Sequence, residues 1–175
     1  MEKIIINIAI DGLCATGKTL VGKKIAENLN YQFIDSSKIY RYLAYTDDPN
    51  GENLDNLQTS LLNDPLLDGI EIGRQASELA QDTELRATIN QKLQDITKDK
   101  GFVVVGRDVT TNILPDAEVK IILSADFETH VNQRISQQDK LNMNKQKSMN
   151  VLLDILNRDN NSIDLIKKAM KAIKS

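Results

Sequence analysis

Cysteine, histidine and tryptophan are almost absent from this chain of 175 residues, which has one cysteine, one histidine and no tryptophan. The single cysteine, Cys14, has no partner for an internal disulfide and is typical of a reducing compartment. One cysteine and one histidine are too few for a structural zinc site. His130 has no serine or cysteine spaced to use it, so a surface or packing role is favoured over catalysis.

Long apolar runs and an excess of basic charge are also missing. No apolar run approaches the roughly 20 residues that a membrane span needs, and the first residues lack the order of a signal peptide. We therefore expect a cytoplasmic protein that does not insert into a membrane. The 22 basic and 25 acidic residues give a net charge of -3, which provides no bulk attraction to nucleic acid. An anionic ligand would therefore have to be bound by a local group of donors and not by the net charge of the chain.

Apolar segments rich in β-branched residues alternate with segments of helical spacing. Residues 4–10, 31–35, 101–106 and 119–123 are predicted strands. The predicted helices cover residues 18–29, 36–45, 72–97, 126–138, 149–157 and 162–174. Strands separated by helices predict an α/β fold, in which a parallel sheet of about four strands is flanked by helices.

A phosphate-loop motif lies between the first predicted strand and its helix. The segment GLCATGKT matches the pattern GxxxxGK[ST], in the strand-to-helix position that the motif requires. Such a loop surrounds a polyphosphate with backbone N–H groups at a helix N-terminus, where the helix dipole favours negative charge. Lys18 would reach the β- and γ-phosphates of ATP, and the Thr19 hydroxyl would bind Mg²⁺. The predicted ATP-binding residues are Gly12, Leu13, Cys14, Ala15, Thr16, Gly17, Lys18 and Thr19.

Four segments that occur in the order of one family extend this interpretation. They are IAIDG with the following GK, DSSKIYR at 35–41, GRD at 106–108 and PDAEVKIIL at 115–123. In these segments the chain resembles the bacterial cytidylate kinases, with gaps, over nearly its whole length. The resemblance implies a P-loop kinase that moves the γ-phosphoryl group of ATP to CMP or dCMP with Mg²⁺. It also implies a core at 1–45 and 100–136, an acceptor-binding excursion at about 46–99, a lid at about 137–148 and C-terminal helices at 149–175.

Two arginines near predicted strand ends are suited to phosphate. Arg41 follows the second strand, at the edge where ligands bind in open α/β sheets, and a guanidinium pairs with two phosphate oxygens. Ser36 would donate to the same phosphate or cap its helix, and both roles remain open. Arg107 follows the third strand, where it would cover charge on the phosphoryl group in transfer or form an ion pair with Asp108.

Recognition of the base is implied by the resemblance. Ser77, Arg86 and Asp108 match positions that contact cytosine in the family. A carboxylate and a hydroxyl suit the amino group of cytosine, and a guanidinium suits its N3 atom. The expected catalytic residues are Lys18, Arg107 and Arg134, and the expected CMP-binding residues are Ser36, Arg41, Ser77, Arg86, Arg107, Asp108 and Arg158.

Two departures from the family pattern concern the metal and the lid. The family's third strand usually ends in DGRD, and the first aspartate helps to hold magnesium through water, but Val105 stands there in this chain. The remaining candidate carboxylates are Asp11 and Asp108. The family's last strand and several lid arginines are missing, so their contacts come from Lys140, Lys145, Lys147 or a partner, or are absent.

Three functions remain open. The first is ATP-dependent phosphorylation of CMP or dCMP by a monomer. The second is that of a degenerate relative that binds nucleotide with little turnover, which Val105 and the altered lid favour. The third is a kinase for another small acceptor, such as shikimate or a nucleoside. Release of ADP that depends on the acceptor distinguishes among them.

Overall fold

Four parallel strands form one sheet in the computed structural model, which describes residues 4–124 and 145–174. They are β1 (Ile8–Gly12), β2 (Gln32–Asp35), β3 (Phe102–Gly106) and β4 (Val119–Leu123). The strands lie in the order β2-β3-β1-β4, and each neighbouring pair is parallel. The predicted α/β fold is confirmed.

Apolar cores cover both faces of this sheet. The helices are α1 (Lys18–Leu29), α2 (Ser37–Tyr45), α3 (Ile70–Leu79), α4 (Thr83–Thr97) and α5 (Lys145–Lys174). Every residue of β1 and β3 is buried, as expected for apolar strands covered on two sides. On one face Ala26 of α1 shares a core with Val103 and Val105. On the other face α2 and α4 contribute Leu43 and Ile89, which share a core with Val104.

The first strand is shorter than the sequence predicts. It begins at Ile8 instead of residue 4, and Ile4 is 83% exposed. The register pairs of β1 begin at Ile8, which lies opposite Val103 of β3 and opposite Val119, the first residue of β4, so the earlier part of the apolar run has no strand residue to pair with. Asn7 precedes this point, and its buried side chain donates to the Thr97 carbonyl and accepts from the N–H of Phe102.

Residues 46–99 contain two helices where the sequence predicts one helical stretch at 72–97. The break between α3 and α4 falls at residues 80–82. Asp82 caps α4, because its carboxylate accepts from the N–H groups of Glu84 and Leu85. Ahead of α3, the predicted loop leads into three short 3-10 turns, Leu54–Asn56, Thr59–Asn63 and Pro65–Asp68.

One continuous helix, α5, occupies the region where the sequence predicts two segments. Its sequence has no glycine or proline, so no strong helix breaker separates the segments. Among the α5 side chains that the structure describes, Ser162, Ile166 and Ala169 are buried. The predicted helix at 126–138 and residues 137–144 of the predicted lid lie outside the described residues. The division into core, excursion and lid stays a prediction. None of the described helices combines the length and apolarity that crossing a bilayer requires.

Candidate active site

The phosphate loop joins β1 to α1 in a conformation that leaves the helix start open. Gly17 has a φ of 87° and Ala15 a φ of 55°, so the loop turns through the left-handed region just before α1 begins at Lys18. Glycine adopts such a φ at little cost. No side chain caps the first turn of α1. Its N–H groups therefore face the carboxyl edge of the sheet, where they are suited to an anion.

Lys18 lies in this loop beside a second cation. Its ammonium donates to the Leu13 carbonyl oxygen and lies 3.4 Å from Thr16 Oγ1. Burial, and in second place the positive charge of Arg107, lowers the pKa of Lys18 to about 8. Two positive groups are thus held close together at the end of β1 and β3, where an anion would stabilise both.

Arg107 has an unused donor in the same place. Within residues 4–124 and 145–174, its buried Nε atom has no hydrogen-bond partner. A buried guanidinium donor without a partner is costly unless a ligand supplies an acceptor. The alternative that Arg107 pairs with Asp108 is wrong: among the described residues the ion-pair partner of Asp108 is Arg86, at 2.5 Å, and Arg107 forms no ion pair with it. Arg107 remains suited to a phosphoryl group.

The carboxylate nearest to the proposed metal ligand is Asp35, which the sequence did not single out. Thr19 Oγ1 donates to Asp35 Oδ2 at 3.0 Å. The other oxygen, Oδ1, accepts from the N–H and hydroxyl of Ser37 at the start of α2. Asp35 is also the register partner of Val105 in the neighbouring strand. It therefore stands beside the position where the family carries an aspartate.

Asp11, one of the two remaining candidate carboxylates for the metal, has a structural role instead. It is fully buried and accepts from the N–H groups of Val109 and Thr110 and from the Thr110 hydroxyl. Burial raises its pKa. These bonds hold the turn of Val109–Ile113 that follows β3. Among the described residues, no group of three His, Cys, Asp or Glu side chains is arranged to hold a metal ion alone.

Of the residues expected to hold the acceptor phosphate, Ser36 directly precedes α2 and Arg41 lies within it. Ser36 is buried and its side chain does not cap the helix, so of its two open roles the cap is wrong. Arg41 Nη1 donates to the carbonyl oxygens of Leu67 at 2.7 Å and Gly69 at 3.3 Å. Arg41 thereby ties α2 to the turn before α3, and its role with phosphate stays a prediction.

A polar cluster forms around Asp108. Arg86 Nη2 and Asn112 Nδ2 both donate to Asp108 Oδ2, at 2.5 and 3.2 Å. Burial raises the pKa of the adjacent Tyr40 to about 12, so its hydroxyl stays protonated. The structure brings Arg86 and Asp108 together as the sequence predicts. Ser77 is half-buried on α3, and no hydrogen bond between described residues joins it to this pair. Arg134 and the side chain of Arg158 lie outside the described residues.

A phosphate loop at the carboxyl edge of a parallel sheet, with two converging cations, defines a P-loop nucleotide-binding protein. The sequence profile of the family described as "Cytidylate kinase" matches residues 8–62 and 55–173. The chain therefore belongs to the cytidylate kinase family, and the resemblance found in the sequence is confirmed.

Individual relatives agree with the family assignment. The chain is 35% identical over 172 residues to the cytidylate kinase of Mycoplasmopsis pulmonis, covering 87% of this chain and 77% of the relative. It is 30% identical over 186 residues to that of Aquifex aeolicus, covering 94% and 83%. Among solved structures, the shikimate kinase from Bacteroides thetaiotaomicron is similar with a TM-score of 0.49 and 16% identity, covering 93% of this chain and 84% of that chain.

Proposed function

We propose that this chain transfers the γ-phosphoryl group of ATP to CMP or dCMP. The observation that carries the proposal is the convergence of Lys18 with Arg107, whose buried Nε lacks an acceptor among the described residues. A phosphoryl group in transfer spreads negative charge over its equatorial oxygens, and fixed cations stabilise that charge. An oxygen of the acceptor phosphate attacks the γ-phosphorus in line and ADP leaves, without a covalent intermediate on the protein.

The oxygen atoms beside the loop fit magnesium. Thr19 Oγ1 is exposed and lies 3.0 Å from Asp35 Oδ2, and both are hard oxygen donors of the kind that Mg²⁺ prefers. The ion would supply charge that neutralises the β- and γ-phosphates. In this proposal Thr19 holds the ion, and Asp35 orients it in place of the aspartate that Val105 replaces.

The cluster around Asp108 is proposed to hold the base of the acceptor. Both of its side-chain contacts fall on Oδ2, which leaves Oδ1 for the amino group of cytosine. Uracil presents a carbonyl oxygen at that position, which Oδ1 would repel. Arg86 is fixed by the Ala80 carbonyl as well as by Asp108, so its guanidinium is held in place for N3. The roles of Ser36, Arg41, Ser77, Arg134 and Arg158 with the acceptor or the phosphoryl group belong to the same proposal, as do a monomeric state and a cytoplasmic location.

A degenerate relative that binds nucleotide with little turnover is the second candidate. Val105 favours it, since the carboxylate usual at that position is missing. The bonds of Arg41 to two backbone carbonyls also favour it, because they occupy donors that the acceptor phosphate would use. This candidate predicts that nucleotide binds but that ADP release does not respond to any acceptor.

A coupled assay of ADP release with CMP, dCMP, UMP and AMP tests the proposal. We expect ADP release that depends on CMP or dCMP and is at least tenfold weaker with UMP or AMP. Lys18→Ala should lower turnover by about a hundredfold or more, since it removes charge that acts on the transition state. The matched control, Lys24→Ala, changes an exposed lysine of the same helix and should retain activity. Release that is independent of the acceptor, or equal turnover in Lys18→Ala, would contradict the proposal.

A further inference from the structure

A carboxylate from the far end of the chain occupies an N–H group of the phosphate loop. The backbone N–H of Cys14 donates to Asp159 Oδ1 at 2.8 Å, although the two residues are 145 positions apart. Cys14 lies inside the segment that would surround the phosphates of ATP. An acidic side chain therefore sits where the loop chemistry calls for a phosphate oxygen.

The placement of Asp159 follows from how α5 is anchored. Ser162, Ile166 and Ala169 are buried against the body of the protein, and Asp159 precedes Ser162 by three residues. Residues spaced by three or four share one face of a helix, so the buried face of α5 also directs Asp159 toward the loop. The contact is thus built into the packing of the helix.

A second donor of the loop is also engaged by the protein itself. The Lys18 ammonium donates to the Leu13 carbonyl, inside its own loop. Two donors of the loop, the Cys14 N–H and the Lys18 ammonium, therefore already have acceptors within the protein. A polyphosphate has to displace the carboxylate, because two anions cannot accept from the same N–H group without strong repulsion.

We propose that Asp159 is an autoinhibitory residue whose carboxylate competes with the phosphates of ATP for the N–H of Cys14. The competition lowers the affinity for nucleotide, and binding of nucleotide releases α5 from the loop. Since a hydrogen bond to a charged group is stronger than a neutral one, the effect depends on the charge of the side chain. This inference rests on the proposed binding of ATP by the loop.

Calorimetric titration of the full chain with Mg²⁺·ATP and with inorganic tripolyphosphate tests it. Asp159→Asn keeps an oxygen acceptor and removes the charge, so both ligands should bind about fivefold more tightly or better. Asp164→Asn removes the same charge from an exposed position of the same helix, and its affinity should stay within about twofold of the wild type. Equal affinities in the two variants, or weaker binding by Asp159→Asn, would overturn the inference.

A second measurement uses the unmodified protein. The amide ¹⁵N–¹H resonance of Cys14 should lie downfield in the free chain, and the Asp159 side-chain carboxyl carbon should shift when tripolyphosphate is added. A carboxyl resonance that does not respond, although the ligand binds, would refute the competition and leave ATP binding intact. Absence of binding to every variant would overturn both proposals.

Discussion

Asp35 makes three hydrogen bonds at the end of β2, and they serve two different elements. One oxygen holds the start of α2 through Ser37, and the other meets the Thr19 hydroxyl at the start of α1. The family's usual carboxylate would stand one strand away, at Val105. The carboxylate that a metal near Thr19 would require is therefore present on β2, the strand next to β3.

Replacing Asp35 with asparagine should weaken the binding of Mn²⁺·ADP about tenfold or more, which is typical when a group that orients a metal's ligands is lost. Asparagine retains an oxygen that accepts from the Ser37 N–H, so α2 should still begin in the same place. Electron paramagnetic resonance distinguishes free from bound Mn²⁺ and so measures the affinity for Mn²⁺·ADP without turnover. Mn²⁺ is used here as a probe of the Mg²⁺ site.

Two controls separate the metal from the nucleotide in this experiment. Affinity for ADP without metal should change by less than about twofold, and Ser37→Ala, which removes only the hydroxyl contact to Oδ1, should retain Mn²⁺. Wild-type affinity for Mn²⁺·ADP in Asp35→Asn would show that Asp35 only caps α2.

Local patterns predicted part of this site, and long-range placement decided the rest. The phosphate loop is a contiguous motif, so the positions of Lys18 and Thr19 follow from the sequence. The role of Asp35 depends on β2 lying next to β3 in a given register, and the contact of Asp159 depends on the path of α5. An aspartate that ends a buried strand beside a phosphate loop is the signal that could have indicated Asp35.

At the scale of elements, α1 lies unusually close to the sheet at Gly22. A methyl group added there would lie 2.6 Å from Val105 Cγ1 and 2.8 Å from Phe33 Cε2. Such distances are shorter than any ordinary carbon contact, which begins near about 3.5 Å. The absence of a side chain at Gly22 therefore sets how near the helix that follows the phosphate loop comes to β2 and β3.

Gly22→Ala should lower the free energy of unfolding by about 1 to 2 kcal/mol, because overpacking outweighs the gain in helix propensity. Urea unfolding followed by circular dichroism measures the change. Asn28→Ala, at an exposed position of the same helix, gains propensity without a clash and should be neutral or slightly stabilising. The double variant Gly22→Ala with Val105→Ala should lose less stability than the sum of the two single losses, because the shorter side chain makes room for the added methyl group. Stability equal to wild type in Gly22→Ala would contradict the close packing.

Element boundaries were the least predictable part of the fold. The start of β1 at Ile8 depends on where its register with β3 and β4 begins, which no local pattern states. The division between α3 and α4 was visible in principle, because Asp82 followed by Glu84 is a helix start signal. The continuity of α5 follows from the absence of a breaker, whereas the polar residues near 160 suggested a gap.

At the scale of the whole molecule, a polar network lies at the amino ends of the strands, opposite to the candidate active site. Glu118 accepts from the Asn7 N–H at 2.8 Å and forms an ion pair with Lys100 at 2.8 Å. The hydrogen bond from Lys100, followed by the one from the Asn7 N–H, lowers the pKa of Glu118 to about 2. This network links β1 to the residues that lead into β3 and β4.

Stability should become sensitive to acid through Glu118. Its pKa is lower in the folded chain than the ordinary value of 4.5, so its contribution is fully present above about pH 4.5 and is lost as the pH falls toward about 2. Urea unfolding of wild type and Glu118→Gln should show a difference at pH 7 that shrinks between pH 4.5 and 2.5. Glu27→Gln, an exposed position on α1, is the control. A stability difference between wild type and Glu118→Gln that does not vary with pH would contradict the stabilising role of the ionised Glu118 carboxylate.

Because all four strands are parallel, the proposed binding site and a stabilising polar network lie at opposite ends of the sheet. The residues proposed to bind nucleotide lie at the carboxyl ends of the strands, and the network of Asn7, Lys100 and Glu118 lies at the amino ends. A strand of five residues spans about 17 Å. A fluorescent dye, an immobilisation tag or a stabilising substitution placed around Lys100 would therefore lie far from the proposed nucleotide site. That end of the sheet is the one where the molecule can be modified with the least effect on binding.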